Sequence, residues 1–111
     1  MEEIKVDVNR NEFIKLIADE VYDVNKDRNN LTTILMGGIV TKIFCEKLFG
    51  ESDTVCFTEN EFCELTSEAI VDFTENEKDK PFTMGASLLA VLISGRIKRK
   101  LFNEEVKNNG N

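Results

Sequence analysis

Apolar residues recur at helical spacing in four segments of the chain, and two shorter segments alternate apolar with polar residues. Recurrence at every third or fourth position is typical of an amphipathic helix, and strict alternation is typical of a half-buried strand. The pattern predicts helices over residues 10–24, 31–49, 59–73 and 81–102 and strands over residues 4–8 and 52–57.

The first and third predicted helices begin with the same chemistry. Asn9 is followed three residues later by Glu12, and Thr58 is followed three residues later by Glu61, which is the spacing of a capping box. Hydrophobic staples are expected between Val8 and Phe13 and between Phe57 and Phe62. We therefore interpret the two glutamates as helix-capping residues and not as catalytic ones.

One sequence pattern occurs twice. Residues 6–24 match residues 55–73 at an offset of 49 positions, and both copies end in Lys-Leu-Phe, at positions 47–49 and 100–102. A repetition of this length indicates a duplicated structural unit. It predicts a single domain over residues 1–111, made of two strand–helix–helix repeats (about 4–50 and 53–102) and ending in a disordered tail over residues 103–111.

The predicted fold class is mainly α, of the α+β type, with four helices and a short two-stranded ribbon. The second and fourth helices are apolar around most of their circumference, so we expect them to form the centre, covered by the first and third. Glycines at positions 37, 38 and 85 predict a close approach of these two helices. Because a two-stranded ribbon is marginal by itself, an all-α four-helix bundle is the alternative.

The composition offers little for catalysis. Histidine is absent from the 111 residues, which removes the commonest general base and metal ligand. Cys45, Cys56 and Cys63 lack the C-x-x-C spacing of zinc and redox sites, and we expect them to be buried, inert thiols. No glycine-rich phosphate loop lies between a predicted strand and a helix. We expect a protein that is not an enzyme and that holds no cofactor and no metal.

The sequence also favours a cytoplasmic protein. Its longest uncharged run, residues 81–95, has 15 residues, whereas a membrane-spanning helix needs about 20 apolar residues. An odd number of cysteines without a secretory signal favours a reducing compartment. We therefore expect no membrane partner.

The formal net charge of −7 is unevenly distributed, with −2 over residues 1–50, −9 over residues 51–79 and +4 over residues 80–111. Five carboxylates at spacings of 3, 4, 4 and 3 line one face of the third helix. We name them the acidic stripe: Glu61, Glu64, Glu68, Asp72 and Glu75. The equivalents in the first repeat are mixed: Glu12, Lys15, Asp19, Asp23 and Lys26. The stripe is either a solvated face or a docking surface for a basic partner, with a carboxylate spacing that crudely mimics a nucleic-acid backbone.

A basic cluster at the end of the fourth helix has the opposite charge. Its members are Arg96, Lys98, Arg99 and Lys100. Cations in the last turns of a helix interact favourably with the helix dipole, which explains the cluster without a ligand. Two other interpretations stay open: a phosphate-binding site, and contact between this cluster and the acidic stripe of another copy in a homo-oligomer.

The chain resembles, in type only, small prophage or mobile-element proteins that inhibit host defence nucleases, including anti-CRISPR proteins. The resemblance is one of length, acidity, absent histidine and A+T-rich residue usage, and it covers no motif. It implies a small acidic protein that binds a basic, nucleic-acid-binding surface of a host defence protein and does not bind nucleic acid directly. The alternatives are an oligomer that sequesters a nucleotide or phosphate ligand, and a structural partner in an oligomer.

Overall fold

The computed structural model describes residues 4–26, 30–78 and 80–103. The fold is mainly α, with 80% helix, four helices and a short antiparallel two-stranded sheet. In chain order the elements are β1 (Lys5–Asn9), α1 (Arg10–Asn25), α2 (Leu31–Phe49), β2 (Thr54–Thr58), α3 (Glu59–Asn76) and α4 (Lys80–Lys98), which ends in a wide π-helical turn (Arg99–Asn103). Of the predicted disordered tail over residues 103–111, Asn103 belongs to this π-helical turn, and residues 104–111 lie outside the described residues.

The ribbon forms, so the all-α alternative is wrong. β1 and β2 pair antiparallel with Asp7 opposite Cys56, two positions that are themselves equivalent at the repeat offset of 49. This is the register that a two-fold axis between the repeats would produce. One face of the ribbon packs on the helices, because Val8 and Phe57 are buried, and this burial supports a sheet too small to be stable alone.

The predicted capping box of α3 forms in full, whereas that of α1 forms only in half, because Glu12 is exposed and its side chain accepts no hydrogen bond from Asn9 among the described residues. The side chain of Asn9 accepts hydrogen bonds from the backbone N–H groups of Asn11 and Glu12, at 2.9 and 3.3 Å. Thr58 and Glu61 form a complete capping box, in which each side chain accepts from the other residue's backbone N–H. These bonds satisfy donors that every helix start leaves without a partner.

Burial repeats with the sequence. Phe13 and its equivalent Phe62 are both fully buried, and their ring centroids lie 6.3 Å apart where α1 and α3 meet beside the ribbon. Phe49 packs against Phe13 at 5.5 Å, and Phe102 packs against Phe62 at 6.2 Å, so the two Lys-Leu-Phe endings occupy matching places. The aromatic core therefore joins the two repeats.

Arg10 stabilises the junction between the two repeats. Its Nη2 donates to the backbone oxygens of Gly50 and Ser52, at 2.6 and 2.8 Å, and its guanidinium lies over the ring of Phe49. Gly50 ends α2 with φ of +57°, a left-handed value that favours glycine. The chain thus turns sharply from α2 into β2.

The helices form a rhombus. α2 and α4 pack against each other and against both α1 and α3, whereas α1 and α3 contact each other only sparsely. The bundle therefore has four sides, which we name by their helices: α1/α2, α2/α3, α3/α4 and α1/α4. The first and third of these sides lie within one repeat, and the other two lie between repeats.

α1 and α3 cover α2 and α4 only in part. In the rhombus each of these helices keeps one outward face, opposite its buried residues. Seven large apolar side chains on these two helices are exposed: Leu31, Ile34, Leu35, Met84, Leu88, Val91 and Leu92.

The glycines also act differently from the expected close approach of two backbones. A Cβ at Gly37 would lie 2.9 Å from Val21 of α1, and a Cβ at Gly85 would lie 2.7 Å from Met36 of α2. Each glycine therefore makes room for a side chain from a neighbouring helix. Gly38 has no such neighbour within 4 Å.

Candidate functional site

The acidic stripe lies on the surface of α3, but its five members do different things. Glu61 belongs to the capping box of its own helix. Glu68 and Asp72 turn toward the α2/α3 side, where Lys47 of α2 lies 3.2 and 3.6 Å from their carboxylates. Glu64 and Glu75 are exposed and form no ion pair with another described residue. Only these two are available to a partner without breaking an internal contact.

The pKa values of the engaged groups follow these contacts. The backbone N–H of Thr58, which donates to the carboxylate, lowers the pKa of Glu61 below its ordinary 4.5. The hydrogen bond to Glu68 and the nearby charge of Asp72 raise the pKa of Lys47 above its ordinary 10.5. Both shifts stabilise the charged form, as expected for groups held in structural contacts.

The basic cluster is not brought together as one patch. Arg96 and Lys100 turn toward α1, Lys98 lines a groove beside Cys63 and Ser67 of α3, and Arg99 is exposed. On the α1/α4 side, Glu20 accepts from both inward-turned cations: Arg96 Nη1 lies 3.3 Å from its Oε2, and Lys100 Nζ lies 3.2 Å from its Oε1. Two of the four candidate phosphate-binding cations are thus held by the protein's own carboxylate.

Asp23 completes this ion cluster. Its Oδ2 lies 2.7 Å from Arg96 Nη1, and its Oδ1 lies 3.3 Å from the Nζ of Lys26. The hydrogen bond from Arg96, followed by that from Lys26, lowers the pKa of Asp23 below its ordinary 3.8. The same bond raises the pKa of Arg96. The α1/α4 side is therefore electrostatically satisfied.

Sequence reasoning did not single out Glu20. Its side chain is only 6% exposed, and it lies among the apolar residues of α1. A signal for it exists in the sequence: position 20 falls on the apolar stripe between Ile17 and Val24, and its equivalent in the second repeat is the buried Ala69. A glutamate at such a position requires a cationic partner from another helix.

Two opposite sides of the bundle are apolar instead. On the α1/α2 side, four exposed residues form what we name the first apolar face: Tyr22, Leu31, Ile34 and Leu35. Toward the α3/α4 side, four form the second apolar face: Val71, Met84, Leu88 and Val91. Leu88 lies at its edge and also lines a groove with Val24 of α1 and Met36 of α2. All eight are between 51% and 74% exposed. Contiguous exposed apolar surface of this kind marks interaction sites in soluble proteins.

The two faces correspond at three of their four positions. Tyr22 is equivalent to Val71 at the offset of 49 that relates α1 to α3. The endings at 47–49 and 100–102 relate α2 to α4 at an offset of 53, which makes Leu35 equivalent to Leu88 and likewise Leu31 to Met84. The fourth positions differ, because the equivalent of Ile34 is Ser87 and the equivalent of Val91 is Gly38.

The second face is positioned by the packing of α3 on α4. Thr74 and Ser87 share a hydrogen bond of 2.8 Å between their hydroxyl groups, which fixes how the two antiparallel helices align. Val71 is one turn from Thr74, and Val91 is one turn from Ser87 in the same direction, so Val71 and Val91 lie at the same level.

The first face contains a groove. It has a volume of about 350 Å³ and lies between α1 and α2, where Tyr22 and Ile34 line its walls. Gly37 and Gly38 line it from α2. Because Gly38 has no side chain to occupy that space, the groove is open to an incoming apolar group.

Charged residues flank the two faces with opposite signs. On α1, Lys15 and Lys26 lie seven residues before and four residues after Tyr22, on the same side of the helix. On α3, Glu64 and Glu75 stand at the same spacings from Val71. Lys26 continues the helical backbone one residue beyond α1 (φ −58°, ψ −33°). The first face is thus apolar with a lysine at each end and exposed Asp19 between them, and the second is apolar with acidic flanks.

The cysteines are not uniformly buried as expected. Cys45 is buried, Cys63 is half-buried, and Cys56 is exposed on the outer face of the ribbon, so the prediction is wrong for Cys56. Burial raises the pKa of Cys45, and the hydrogen bond to Asp7 raises that of Cys56, which keeps both thiols protonated near neutral pH.

The described residues contain neither a metal-binding cluster nor a helix that could span a membrane. No group of three or more Cys, Asp and Glu side chains in residues 4–26, 30–78 and 80–103 is arranged to hold a metal ion. None of the helices in this part of the chain combines the length and the apolar character that crossing a bilayer requires.

Comparisons with known proteins add no relative to this description. The chain matches no protein-family model, and searches of curated proteins and of solved structures find no match.

Proposed function

We propose that this chain is a small, non-enzymatic protein-binding protein whose second apolar face docks on a larger protein. The observation that carries the proposal is the pair Glu64 and Glu75, which flank exposed Val71 and have no ion pair within the described residues. Apolar side chains surrounded by unengaged charge are the composition of a protein-binding surface, with an apolar centre and a polar rim.

The chemistry of the face defines the partner. Four apolar side chains need an apolar counterpart, and two carboxylates need cations at its edge. The partner surface is therefore basic at its rim and apolar at its centre. Within this class, the resemblance in type to anti-defence proteins suggests a nucleic-acid-binding protein of bacterial defence, because such proteins carry basic surfaces.

Only two of the five residues of the acidic stripe are assigned to partner contact. Glu68 and Asp72 already neutralise Lys47, and Glu61 caps its helix, so we assign partner contact to Glu64 and Glu75 alone. The inward-turned half of the basic cluster is held by Glu20, and we therefore do not propose phosphate sequestration.

Charge reversal tests the proposal. The double variant Glu64→Lys with Glu75→Lys should weaken partner binding by at least about tenfold, because like charges would then face each other across the interface. The matched control is Glu12→Lys with Glu51→Lys, which makes the same change in net charge at exposed positions outside both apolar faces. Proteins that the wild type captures from a host lysate are identified. The affinity of the wild type and of both double variants for them is then measured by titration at low and high salt. Equal affinity of the two double variants would contradict the proposal.

A further inference from the structure

We infer that the first apolar face binds the second apolar face of another copy of this chain, so that the protein self-associates head to tail. This inference rests on the proposed function, because it takes the second face to be a docking surface for a basic, apolar counterpart. The first face is such a counterpart: it is exposed, apolar and flanked by Lys15 and Lys26.

The flanking charges match in distance as well as in sign. Lys15 and Lys26 are 11 residues apart on α1, and Glu64 and Glu75 are 11 residues apart on α3. At 1.5 Å of rise per residue each pair spans about 16 Å. Both cations can therefore meet both carboxylates when α1 of one copy lies along α3 of the next, in either direction.

These four residues are available for such a contact. Lys15, Glu64 and Glu75 are exposed and have no ion pair with another described residue. Among the described residues, Lys26 pairs with Asp23 alone, at 3.3 Å, and both side chains are about half exposed. An exposed pair of this kind contributes little to stability and is easily exchanged.

A neighbouring pair of equivalent acidic residues does not show this change of charge between the repeats. Asp23 and Asp72, which are equivalent, have the same sign and both serve contacts between repeats. The sign changes between the repeats at the two outward positions that flank Tyr22 and Val71. Two faces with three equivalent apolar positions and opposite flanking charges are complementary to each other, whereas two copies of the same face repel each other.

The geometry determines the type of assembly. The faces lie on opposite sides of the rhombus, so each copy can bind two neighbours through different surfaces. Such a heterologous contact generates a ring if the rotation closes and an open chain if it does not. Each face has four exposed apolar residues, which is few against the roughly 20–30 residues per partner of a standard interface. The assembly is therefore weak and depends on concentration.

Self-association and partner binding would then compete for the second face. A high concentration of the chain would hold the second face in its own assembly, and a basic partner would release it. Occupation of one surface by two ligands makes the two binding events mutually exclusive.

A mixing experiment tests the inference. One variant carries Lys15→Glu and Lys26→Glu, so both of its faces have acidic flanks; the other carries Glu64→Lys and Glu75→Lys, so both have basic flanks. Each variant alone should associate at least about tenfold more weakly than the wild type. An equimolar mixture should recover assembly, because every contact between the two variants pairs acid with base. Masses are measured by size-exclusion chromatography with light scattering, and circular dichroism confirms that each variant is folded.

Two results would overturn the inference. One is a mixture in which both variants remain separate monomers, and the other is a variant that assembles alone as strongly as the wild type. A monomeric wild type whose partner binding is still lost on Glu64→Lys with Glu75→Lys would overturn the self-association but support the proposed function. If Glu64→Lys with Glu75→Lys leaves partner binding unchanged and the mixture recovers assembly, the proposed function is overturned and the self-association is supported.

Discussion

Charged residues are placed differently on the sides between the repeats and on the sides within a repeat. On the α1/α4 and α2/α3 sides, carboxylates of one repeat meet cations of the other: Glu20 and Asp23 bind Arg96, and Glu68 binds Lys47. On the α1/α2 and α3/α4 sides, the flanking charges stand beside exposed apolar residues, and three of the four have no ion pair with a described residue. The first kind of side holds the fold together, and we propose that the second kind binds other molecules.

The two ion-paired sides differ in turn. Glu20 is nearly buried, whereas Lys47, Glu68 and Asp72 are all at least 32% exposed. Burial makes an ion pair consequential, because a buried charge that loses its partner cannot regain water. Exposed pairs contribute little. Equivalent positions in a duplicated fold can therefore carry unequal weight in stability.

The largest expected effect follows from this difference. Arg96→Ala leaves the buried carboxylate of Glu20 with Lys100 alone, and the lost charged hydrogen bond should reduce the free energy of unfolding by about 1.5–3 kcal/mol. Lys47→Ala, on the equivalent exposed side, is the matched control and should leave stability nearly unchanged. Chemical denaturation with circular dichroism measures both. Equal losses from the two substitutions would show that burial does not distinguish these sides.

An intermediate effect is expected on the first apolar face. Tyr22→Ser removes a side chain that is 74% exposed, so the free energy of unfolding should change by no more than about 0.5 kcal/mol. Self-association should weaken by about tenfold, because a tyrosine at the centre of a contact contributes strongly to binding. Light scattering against concentration gives the affinity. A variant that is destabilised but still assembles would show that Tyr22 stabilises the fold and does not contribute to an interface.

The smallest effect concerns the cap of α3 and its pH dependence. The pKa of Glu61 in the folded protein lies below the ordinary 4.5, so ionisation of this group favours folding. Its contribution is complete above pH 4.5 and is lost as the pH falls through the lower, folded-state pKa. Glu61→Gln keeps the acceptor of the capping box but does not titrate. Thermal melts from neutral to acidic pH should therefore show a shallower acid loss in the variant; identical acid slopes would argue against this assignment.

Local features were predictable from the sequence, because their causes are local. Asn9 and Thr58 start helices through bonds to residues two and three positions away, and Gly50 ends α2 with a left-handed backbone. The duplication likewise indicated a pair of equivalent strands, and their register follows it. The acidic stripe was correctly placed on the surface of α3.

The sides of the bundle were not predictable in the same way. Periodicity cannot tell which face of α2 is buried when apolar residues surround the helix, and the rhombic packing decides that Leu31 and Leu35 face outward. The bond between Glu20 and Arg96 joins positions 76 residues apart, which no local pattern reports. The opposition of Lys15 and Glu64 was visible in the aligned repeats, but its meaning depends on the exposed apolar residues between the flanking charges.

The most direct measurement is the molar mass of the wild-type protein by light scattering over a range of concentrations, at low and at high salt. If the two faces bind each other, the mass rises above the 12.6 kDa of one chain as the concentration increases. High salt should lower it again, because the flanking charges are exposed and are screened. A mass that stays at 12.6 kDa at every concentration and salt would contradict the account.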